Sequence, residues 1–116
     1  MVTVQLPAGG SSAVEMYTLT SSREDPSTDP TAWTLEASVD GVTWRVVDAR
    51  RGERFRWRRH TRVFAVREPT PGSRYRLRID GNAGAVTTRL SEIELLSAED
   101  ALKAASARKT DRSSQF

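Results

Sequence analysis

The stretch WTLEASVDGVTW, residues 33–44, limits the possible folds of this chain more than any other feature. Apolar residues occupy alternate positions on both sides of an Asp-Gly pair: Trp33, Leu35, Ala37 and Val39 before it, and Val42, Trp44 and Val46 after it. Strict alternation predicts strands with one buried face, and Asp40-Gly41 suits a two-residue type I′ turn. The segment therefore predicts a β-hairpin whose buried face carries Trp33 and Trp44.

Five other segments have strand patterns, and they lie at residues 2–6, 14–20, 61–67, 74–80 and 89–96. Alternation is cleanest in 74–80, where Tyr75, Leu77 and Ile79 share one face and three arginines share the other. We expect Phe64 and Val66 to point inward. Val14 does not fit the alternation of apolar residues in the strand 14–20, which indicates a bulge. Seven short strands separated by turn-rich loops predict an all-β, antiparallel β-sandwich.

A chain of 116 residues is long enough for one domain with one core. We assign residues 1–97 to the sandwich and residues 98–116 to a tail. The tail has capping-box spacing from Ser97 to Asp100, and Leu102 is its main apolar anchor. A frayed helix or a disordered segment is therefore expected there, rather than a packed helix.

Composition restricts the function classes. The chain has no cysteine, so a disulfide framework and a thiolate metal site are excluded. The formal net charge is +3, but only Lys103 and Lys109 among the eighteen basic residues are lysines, and so strong a preference for arginine weakens the case for nucleic acid. No apolar run approaches the ~20 residues of a membrane span, and the N-terminus has no signal-peptide pattern.

Several segments, in their order, resemble one known family of binding domains. They are YTLTSSREDPSTDPTAWTLEASVDGVTWRVVDAR, then Phe55 and FAV, then YRLRID and LSEIELL. Over residues 14–96 the chain resembles a discoidin-like domain, the coagulation-factor C-type sandwich that includes family 32 carbohydrate-binding modules. The resemblance implies a galactose-binding-like jelly roll that holds a glycan at loops on one end. It also implies a non-catalytic accessory module, attached to the catalytic domain of a larger secreted glycoside hydrolase.

One part of the family pattern has no match before Val14. Members of the family begin with further strands that carry an Asp-Gly-Asp and a Thr-x-Trp type segment, and these supply part of the glycan loops and part of a structural calcium site. Relatives use a Glu at the position of Glu92 as a calcium ligand. Since calcium takes about 6 to 8 oxygen ligands, Glu92 would need several partners for such a site.

The resemblance makes Arg23 the first candidate for glycan binding. In carbohydrate-binding relatives, a strand ending in Leu-Thr is followed by an Arg that bonds sugar hydroxyls, and LTSSRED places Arg23 correspondingly. A guanidinium offers five fixed donors, and the neighbouring Asp25 offers acceptors. The alternative is that Arg23, Glu24, Asp25 and Asp29 pair among themselves and hold a Pro-rich loop.

The three tryptophans have different expected roles. Trp33 and Trp44 lie in the inward phase of their strands and are assigned to the core. Trp57 stands between two arginines in an irregular segment, where it could stack on a sugar ring. The loop at 80–88, which contributes Asn82 as a polar candidate, has no aromatic residue, and this weakens the sugar-binding interpretation.

The segment RRGERFRWRRHTR, residues 50–62, allows two interpretations. It could be a patch for anionic polysaccharide or single-stranded nucleic acid, or a basic connecting loop. The resemblance favours the second, with Phe55 and Arg59 packing and pairing within the fold. His60 is the lone histidine, so a zinc site is not supported, and nearby arginines should keep its ring neutral.

The leading hypothesis is a carbohydrate-binding or accessory module without enzymatic activity. Its candidate ligand-binding residues are Arg23, Glu24, Asp25, Asp29, Trp57, Arg59, His60 and Asn82. The alternatives are a structural or protein-interaction sandwich that packs on a neighbouring domain, and anionic-polysaccharide binding through residues 50–62. No nucleophile elbow, phosphate-cradling loop or paired-carboxylate motif is recognisable in the sequence.

Overall fold

The computed structural model describes residues 2–7 and 13–97. The expected helical or disordered tail at 98–116 lies outside the described residues. Within them the chain forms seven strands and one short 3₁₀ turn at Pro26–Thr28. The strands are β1 (Val2–Pro7), β2 (Val14–Ser21), β3 (Pro30–Ser38), β4 (Arg45–Arg50), β5 (Thr61–Ala65), β6 (Arg74–Asn82) and β7 (Leu90–Ser97).

The strands form two antiparallel sheets. The four-stranded sheet has the order β1-β6-β3-β4, and the three-stranded sheet has the order β5-β2-β7. The predicted all-β antiparallel sandwich is therefore confirmed. The bulge expected at the start of β2 is also present, because the pairing of β2 with β7 shifts between Val14 and Met16. No helix in the described ranges is long and apolar enough to cross a membrane.

The core lies between the sheets and is built from the alternating apolar positions. Its buried members are Val14, Tyr17, Leu19, Trp33, Leu35, Ala37, Val47, Phe55, Phe64, Val66, Tyr75, Leu77 and Ile79. Leu90, Ile93 and Leu95 of β7 pack against this cluster and are partly buried. The inward positions predicted for Phe64 and Val66, and the inward face predicted for β6, are confirmed.

A polar bridge inside the core connects the two sheets. The Trp33 Nε1–H of β3 donates to the Tyr17 hydroxyl of β2 at 2.9 Å, and that hydroxyl donates to the buried Asp48 carboxylate of β4. Arg50 Nε donates to Asp48 at 3.0 Å. Burial first, and the Asp48 carboxylate second, raise the pKa of Tyr17 well above its usual range. No buried side-chain N or O atom in the described residues lacks a hydrogen-bond partner, as a buried polar network requires.

The turn predicted at Asp40-Gly41 is wrong. β3 ends at Ser38 and β4 begins at Arg45, so a six-residue loop, residues 39–44, replaces the two-residue turn. Gly41 has the positive φ of 78° that was expected, but Asp40 does not. The Asp40 carboxylate instead accepts the backbone N–H groups of Val42 and Thr43, each at 2.8 Å. Local bonding by an Asp side chain is a common way to close such a loop.

The assignment of Trp44 to the core is also wrong, and a β-bulge is the reason. Pairing between β3 and β4 shifts by one residue, so that Leu35 faces Asp48 while Glu36 faces Val46, and Val47 is the extra residue. A one-residue shift moves all preceding side chains to the other face of the sheet. Val46 is accordingly 48% exposed, and the half-buried Trp44 ring lies 4.2 Å from the guanidinium carbon of Arg76 on the outer face.

Successive connections alternate between the two ends of the sandwich. The β2–β3, β4–β5 and β6–β7 connections meet at one end, which we call the loop end and define as residues 22–29, 51–60 and 83–89. The β3–β4 and β5–β6 connections lie at the opposite end, where Ser73 N–H donates to the carbonyl of Ser38 at 3.0 Å. The candidate glycan residues from the sequence, Asn82 included, lie in or next to the loop end.

Candidate functional site

Backbone hydrogen bonds hold the three connections of the loop end to one another. Ala83 N–H donates to the carbonyl of Asp29 at 3.0 Å and so joins the β6–β7 connection to the β2–β3 connection. Arg59 N–H donates to the carbonyl of Ser22 at 3.3 Å and joins the β4–β5 connection to the same partner. The loop end is therefore one connected surface on a rigid sandwich, the usual setting for a binding site.

Arg58 is the side chain that organises this surface. Its Nη1 donates to the carbonyls of Ser22 and Glu24 at 3.2 and 3.1 Å, and to Asp29 Oδ1 at 2.9 Å. Its Nη2 donates to the other Asp29 oxygen, so the pair is bidentate, and Asp29 is only 4% exposed. Hydrogen bonding to Asp29 is the main cause that raises the pKa of Arg58. Arg58 thus ties the β4–β5 connection to the β2–β3 connection.

The expectation that Arg59 makes this internal pair is wrong by one residue. Arg59 has a positive φ of 56°, is exposed, and its guanidinium makes no hydrogen bond or ion pair with a described residue. A left-handed residue turns the chain sharply, so neighbouring side chains point in different directions. A run of adjacent arginines gives no sequence signal for the position of such a turn, and sequence reasoning therefore missed Arg58.

The acidic and basic residues of the β2–β3 connection do not pair among themselves, so that alternative is wrong. Asp25 Oδ1 accepts Ser27 N–H at 2.9 Å and caps the 3₁₀ turn, and this backbone hydrogen bond is the main cause that lowers the pKa of Asp25. Asp29 pairs with Arg58 instead. Arg23 and Glu24 are exposed, and the Arg23 guanidinium has no hydrogen-bond or ion-pair partner in the described part of the chain.

Trp57 and His60 form a stacked pair on the β4–β5 connection. Their ring centroids are 3.8 Å apart at 24°, and Trp57 is 60% exposed, which agrees with its predicted exposure. Ser21 fixes the pair from below, since its hydroxyl donates to the Trp57 carbonyl at 2.9 Å and accepts His60 N–H at 2.8 Å. The pair therefore presents an aromatic surface whose position is set by β2.

The imidazole of His60 is electrically neutral near pH 7. Its Nδ1 accepts the backbone N–H of Arg56 at 3.1 Å. Burial first, and the positive charges of Arg62 and Arg56 next, lower the pKa of His60 below its usual value of 6.5. Because Nδ1 is an acceptor, the ring proton is on Nε2, which can donate to a ligand.

Two clefts open on the loop end. The first, which we call the inter-loop cleft, has a volume of about 380 Å³ and is lined by Pro26, Asp29, Thr31, Gly52, Glu53, Arg54, Phe55 and Ala83. The second, which we call the basic cleft, has a volume of about 370 Å³ and is lined by Gly52, Glu53, Arg54, Arg56, His60 and Arg62. Volumes near the lower end of the range for small-ligand sites suit one or two sugar rings. Of the candidate residues, Asp29 lines the first cleft and His60 lines the second.

Arg62 connects the lining of the two clefts to the core. Its Nη1 donates to Glu53 Oε1 at 2.8 Å and to the Arg54 carbonyl at 3.1 Å, and its guanidinium lies 4.9 Å from the Phe64 ring centre. Phe55 is buried beside it, as the sequence predicted. The guanidinium groups of Arg54 and Arg56 have no partner among residues 2–7 and 13–97.

Asn82 and Glu92 contribute differently to the structure. The Asn82 amide donates to the Ala85 carbonyl at 2.9 Å and to Thr88 Oγ1 at 3.1 Å, and it accepts Gly84 N–H at 3.0 Å, so it shapes the β6–β7 connection. Glu92 is an exposed residue of β7. No group of three or more His, Asp or Glu residues in the described part of the chain is placed to hold a metal ion. Calcium binding by Glu92 stays a prediction.

Comparison with known proteins gives a likeness of fold. No family model and no curated protein matches the sequence. The module CpGH89CBM32-5 of Clostridium perfringens, solved in complex with GalNAc-beta-1,3-galactose, superposes with a TM-score of 0.67 at 16% identity. The family 32 carbohydrate-binding module of Streptococcus pneumoniae EndoD superposes with a TM-score of 0.62 at 12% identity. The chain therefore has the discoidin-like β-sandwich fold of family 32 carbohydrate-binding modules.

The matched regions cover part of each protein. Each superposition takes in 82% of this chain, with 65% of the Clostridium perfringens module and 68% of the EndoD module. The chain thus spans about two thirds of the length of these two structures. The fold expected from the resemblance of residues 14–96 is confirmed.

Proposed function

We propose that this chain is a non-catalytic carbohydrate-binding module that holds a glycan at its loop end. The observation that carries the proposal is the exposed Trp57 ring, which is stacked on His60 and precedes by two residues an exposed arginine, Arg59, whose guanidinium has no hydrogen-bond or ion-pair partner among the described residues. It stands on a fold shared with two carbohydrate-binding modules, one of which was solved with a disaccharide. An aromatic ring near available hydrogen-bond donors is the combination that a sugar requires, since a pyranose has an apolar C–H face and polar edges.

Some charged side chains of the loop end are paired with each other, and others are available to a ligand. Arg58 and Asp29 use their charged groups on each other and set the shape of the loop end. Arg23 and Arg59 are exposed, and their guanidinium groups make no hydrogen bond or ion pair in the described ranges, so these donors are available for sugar hydroxyls. Since both side chains must be ordered when a ligand binds, and polar groups must lose water, the affinity should be modest.

The carboxylates near the clefts favour binding over hydrolysis. Asp29 is paired with Arg58, and Glu53 is paired with Arg62 at 2.8 Å. Glycoside hydrolysis uses two free carboxyl groups across the scissile bond, whereas each of these carboxylates is held in an ion pair with an arginine. These contacts support a module that binds sugar without cleaving it.

The test is an NMR titration with mannose-, galactose- and N-acetylhexosamine-terminated glycans at millimolar concentration. We expect amide shifts within residues 22–29 and 51–60, and none in the loop 39–44 at the opposite end. Trp57→Ala should abolish the shifts because it removes the stacking surface. Trp44→Ala, which removes an indole at the opposite end, is the matched control and should leave them unchanged. Absence of shifts with all three glycans would reject glycan binding and favour the protein-interaction alternative.

We also propose that the module belongs to a larger secreted glycoside hydrolase and packs beside its catalytic domain. The support is the sequence resemblance, together with the names of the two structural neighbours, which are modules of CpGH89 and EndoD. The test is to read the coding sequence on both sides of this segment. A continuous reading frame that encodes a glycoside hydrolase and a signal peptide is expected, and flanking sequence that encodes a protein of another class would reject the proposal.

A further inference from the structure

We propose that the basic cleft binds an acidic sugar residue, one that carries a carboxylate or a sulfate group. The inference rests on the proposed function, because the ligand remains a glycan held at the loop end. It goes further by naming a ligand class and a subsite, the cleft lined by Arg54, Arg56, His60 and their neighbours.

The charge of the cleft is the first argument. Three arginines line it, Arg54, Arg56 and Arg62, and Glu53 supplies one negative charge. That charge is already paired, because Glu53 Oε1 lies 2.8 Å from Arg62 Nη1. The positive charges of Arg54 and Arg56 are not balanced by any ion pair in the described part of the chain. A cleft lined in this way attracts an anion.

The shape of the donors is the second argument. A guanidinium offers a planar fork of N–H groups that matches two oxygens of a carboxylate or sulfate, and two arginines without ion-pair partners among the described residues, Arg54 and Arg56, line the same small cleft. The rim is open at Gly52, since no atom outside Gly52 and its two chain neighbours lies within 4 Å of the position that a Cβ there would take. An acidic group can therefore enter the cleft past Gly52.

The remaining groups of the cleft suit the rest of a sugar ring. His60 presents an Nε2–H donor, because its Nδ1 accepts Arg56 N–H. Glu53 Oε2 makes no hydrogen bond to a described residue and can accept from a sugar hydroxyl. The exposed indole of Trp57 lies against His60 and offers a surface for the C–H face of the ring. Donors, an acceptor and an aromatic surface thus surround the anion site.

The same observations favour an acidic sugar over nucleic acid. Single-stranded nucleic acid requires a groove of positive charge that follows several phosphates and several aromatic stacking positions. Here one exposed aromatic ring, Trp57, lies beside the basic cleft in the described segment 51–60, and the cleft itself is small, at about 370 Å³. Glu53 Oε2 can accept from a sugar hydroxyl, a donor that a phosphodiester does not offer.

The test compares four probes by isothermal titration calorimetry with the whole chain. They are a galacturonate oligosaccharide, a chondroitin sulfate oligosaccharide, an uncharged galactose oligosaccharide and a single-stranded oligo-dT. We expect at least one acidic oligosaccharide to bind about tenfold more tightly than the uncharged one, and to lose most of that advantage when salt is raised to about 0.5 M. The two acidic probes distinguish a carboxylate from a sulfate as the recognised group.

Variants place the effect in the cleft. Arg54→Gln combined with Arg56→Gln should abolish the roughly tenfold preference for the acidic oligosaccharide over the uncharged one. The matched control combines Arg45→Gln with Arg67→Gln, which removes the same net charge from exposed positions outside the loop end and should change nothing. Thermal unfolding of each variant verifies that it is folded.

Three results would overturn the inference: equal affinity for charged and uncharged oligosaccharides, an unchanged acidic preference in the cleft variant, or tighter binding of oligo-dT. Equal affinity, or an unchanged acidic preference, would overturn this inference alone. The proposed function would still be supported if the uncharged oligosaccharide binds to the wild-type chain and Trp57→Ala abolishes that binding. Absence of binding by every oligosaccharide would reject both.

Discussion

At the scale of single residues, two tryptophans that look equivalent in the sequence have different roles. Trp33 is fully buried between the sheets, its indole N–H bonded to the Tyr17 hydroxyl at 2.9 Å. Trp44 lies on the outer face of the four-stranded sheet, in contact with the Arg76 guanidinium. The first side chain holds the sandwich together, while the second covers part of one sheet.

Truncation of these two side chains should therefore have unequal effects. Trp33→Ala leaves a large cavity and removes one of the two hydrogen bonds of the buried Tyr17 hydroxyl, and should lower the free energy of unfolding by about 3–5 kcal/mol. Trp44→Ala loses a cation–π contact and a half-buried ring, and should cost about 1 kcal/mol. Urea unfolding of both variants measures the difference. Equal losses would contradict the assignment of Trp44 to the surface.

The residues that sequence reasoning located and those it missed differ in a physical way. Trp33, Tyr75 and Phe64 were located because alternation alone decides which face of a strand is buried. Asp48 and Arg58 were missed, since their importance depends on a partner far away in the sequence. Tyr17 for Asp48 and Asp29 for Arg58 become neighbours only when separate strands or loops are brought together.

At the scale of elements, all seven predicted strands exist, and the errors fall at the ends and at one bulge. Residues 39–44 form a loop because the Asp40 side chain satisfies two backbone N–H groups that a tight turn would have used otherwise. The extra residue Val47 then reverses the faces of Val46 and Trp44. A sequence pattern shows neither event, because a bulge changes pairing without changing the alternation of residue types.

The stability of the connections at the loop end should depend on the side chain of Arg58. Arg58→Ala leaves the buried Asp29 carboxylate without its partner and removes bonds to the Ser22 and Glu24 carbonyls, so it should lower the free energy of unfolding by about 2 kcal/mol. Arg59→Ala, the adjacent and exposed control, should change it by less than about 0.5 kcal/mol. Urea unfolding measures both.

A double-mutant cycle distinguishes the specific contact between Arg58 and Asp29 from a general effect of removing a charge. If Arg58 acts through Asp29, then Arg58→Ala combined with Asp29→Asn should cost less than the sum of the two single changes. Strict additivity, or a larger loss for Arg59→Ala than for Arg58→Ala, would show that the bidentate pair does not organise the loop end.

At the scale of the whole molecule, acidification should destabilise the fold in two steps. The pKa values of His60, Asp25 and Asp40 are all lower in the folded chain than in the unfolded one. As pH falls, the unfolded chain takes up each proton first, so stability is lost on the acid side of each unfolded pKa. The first loss should begin near pH 6.5, from His60, and the second below about pH 4, from the two carboxyl groups.

Urea midpoints measured from pH 8 to pH 3 test this dependence. His60→Gln should remove the first step, and Asp40→Asn should reduce the second at the cost of some stability at neutral pH. A midpoint that rises as pH is lowered from 8 to 5 would contradict the neutral state assigned to His60.

The β-sandwich fold could be predicted from the sequence because the patterns of several strands indicate the same architecture. The arrangement of the binding surface could not be predicted in this way. Strand alternation repeats seven times, and an error in one strand leaves the overall architecture unchanged. The clefts arise where three connections meet, so the neighbourhood of Arg54, His60 and Asp29 depends on loop conformations that no periodic pattern encodes. Arg23, chosen by resemblance, is exposed at the loop end but lines neither of these two clefts.

Strand β3 has one further consequence, which concerns the order in which parts of the molecule open. It is hydrogen-bonded to β4 on one side and β6 on the other, and residues 33–38 are buried on both faces. Backbone amides in such a strand exchange with solvent only when the whole domain unfolds, whereas loops open at much lower free energy. The loop end can thus change conformation around a ligand while the hydrogen bonds of β3 to β4 and β6 stay intact. Binding at the surface therefore does not require the sheet to open.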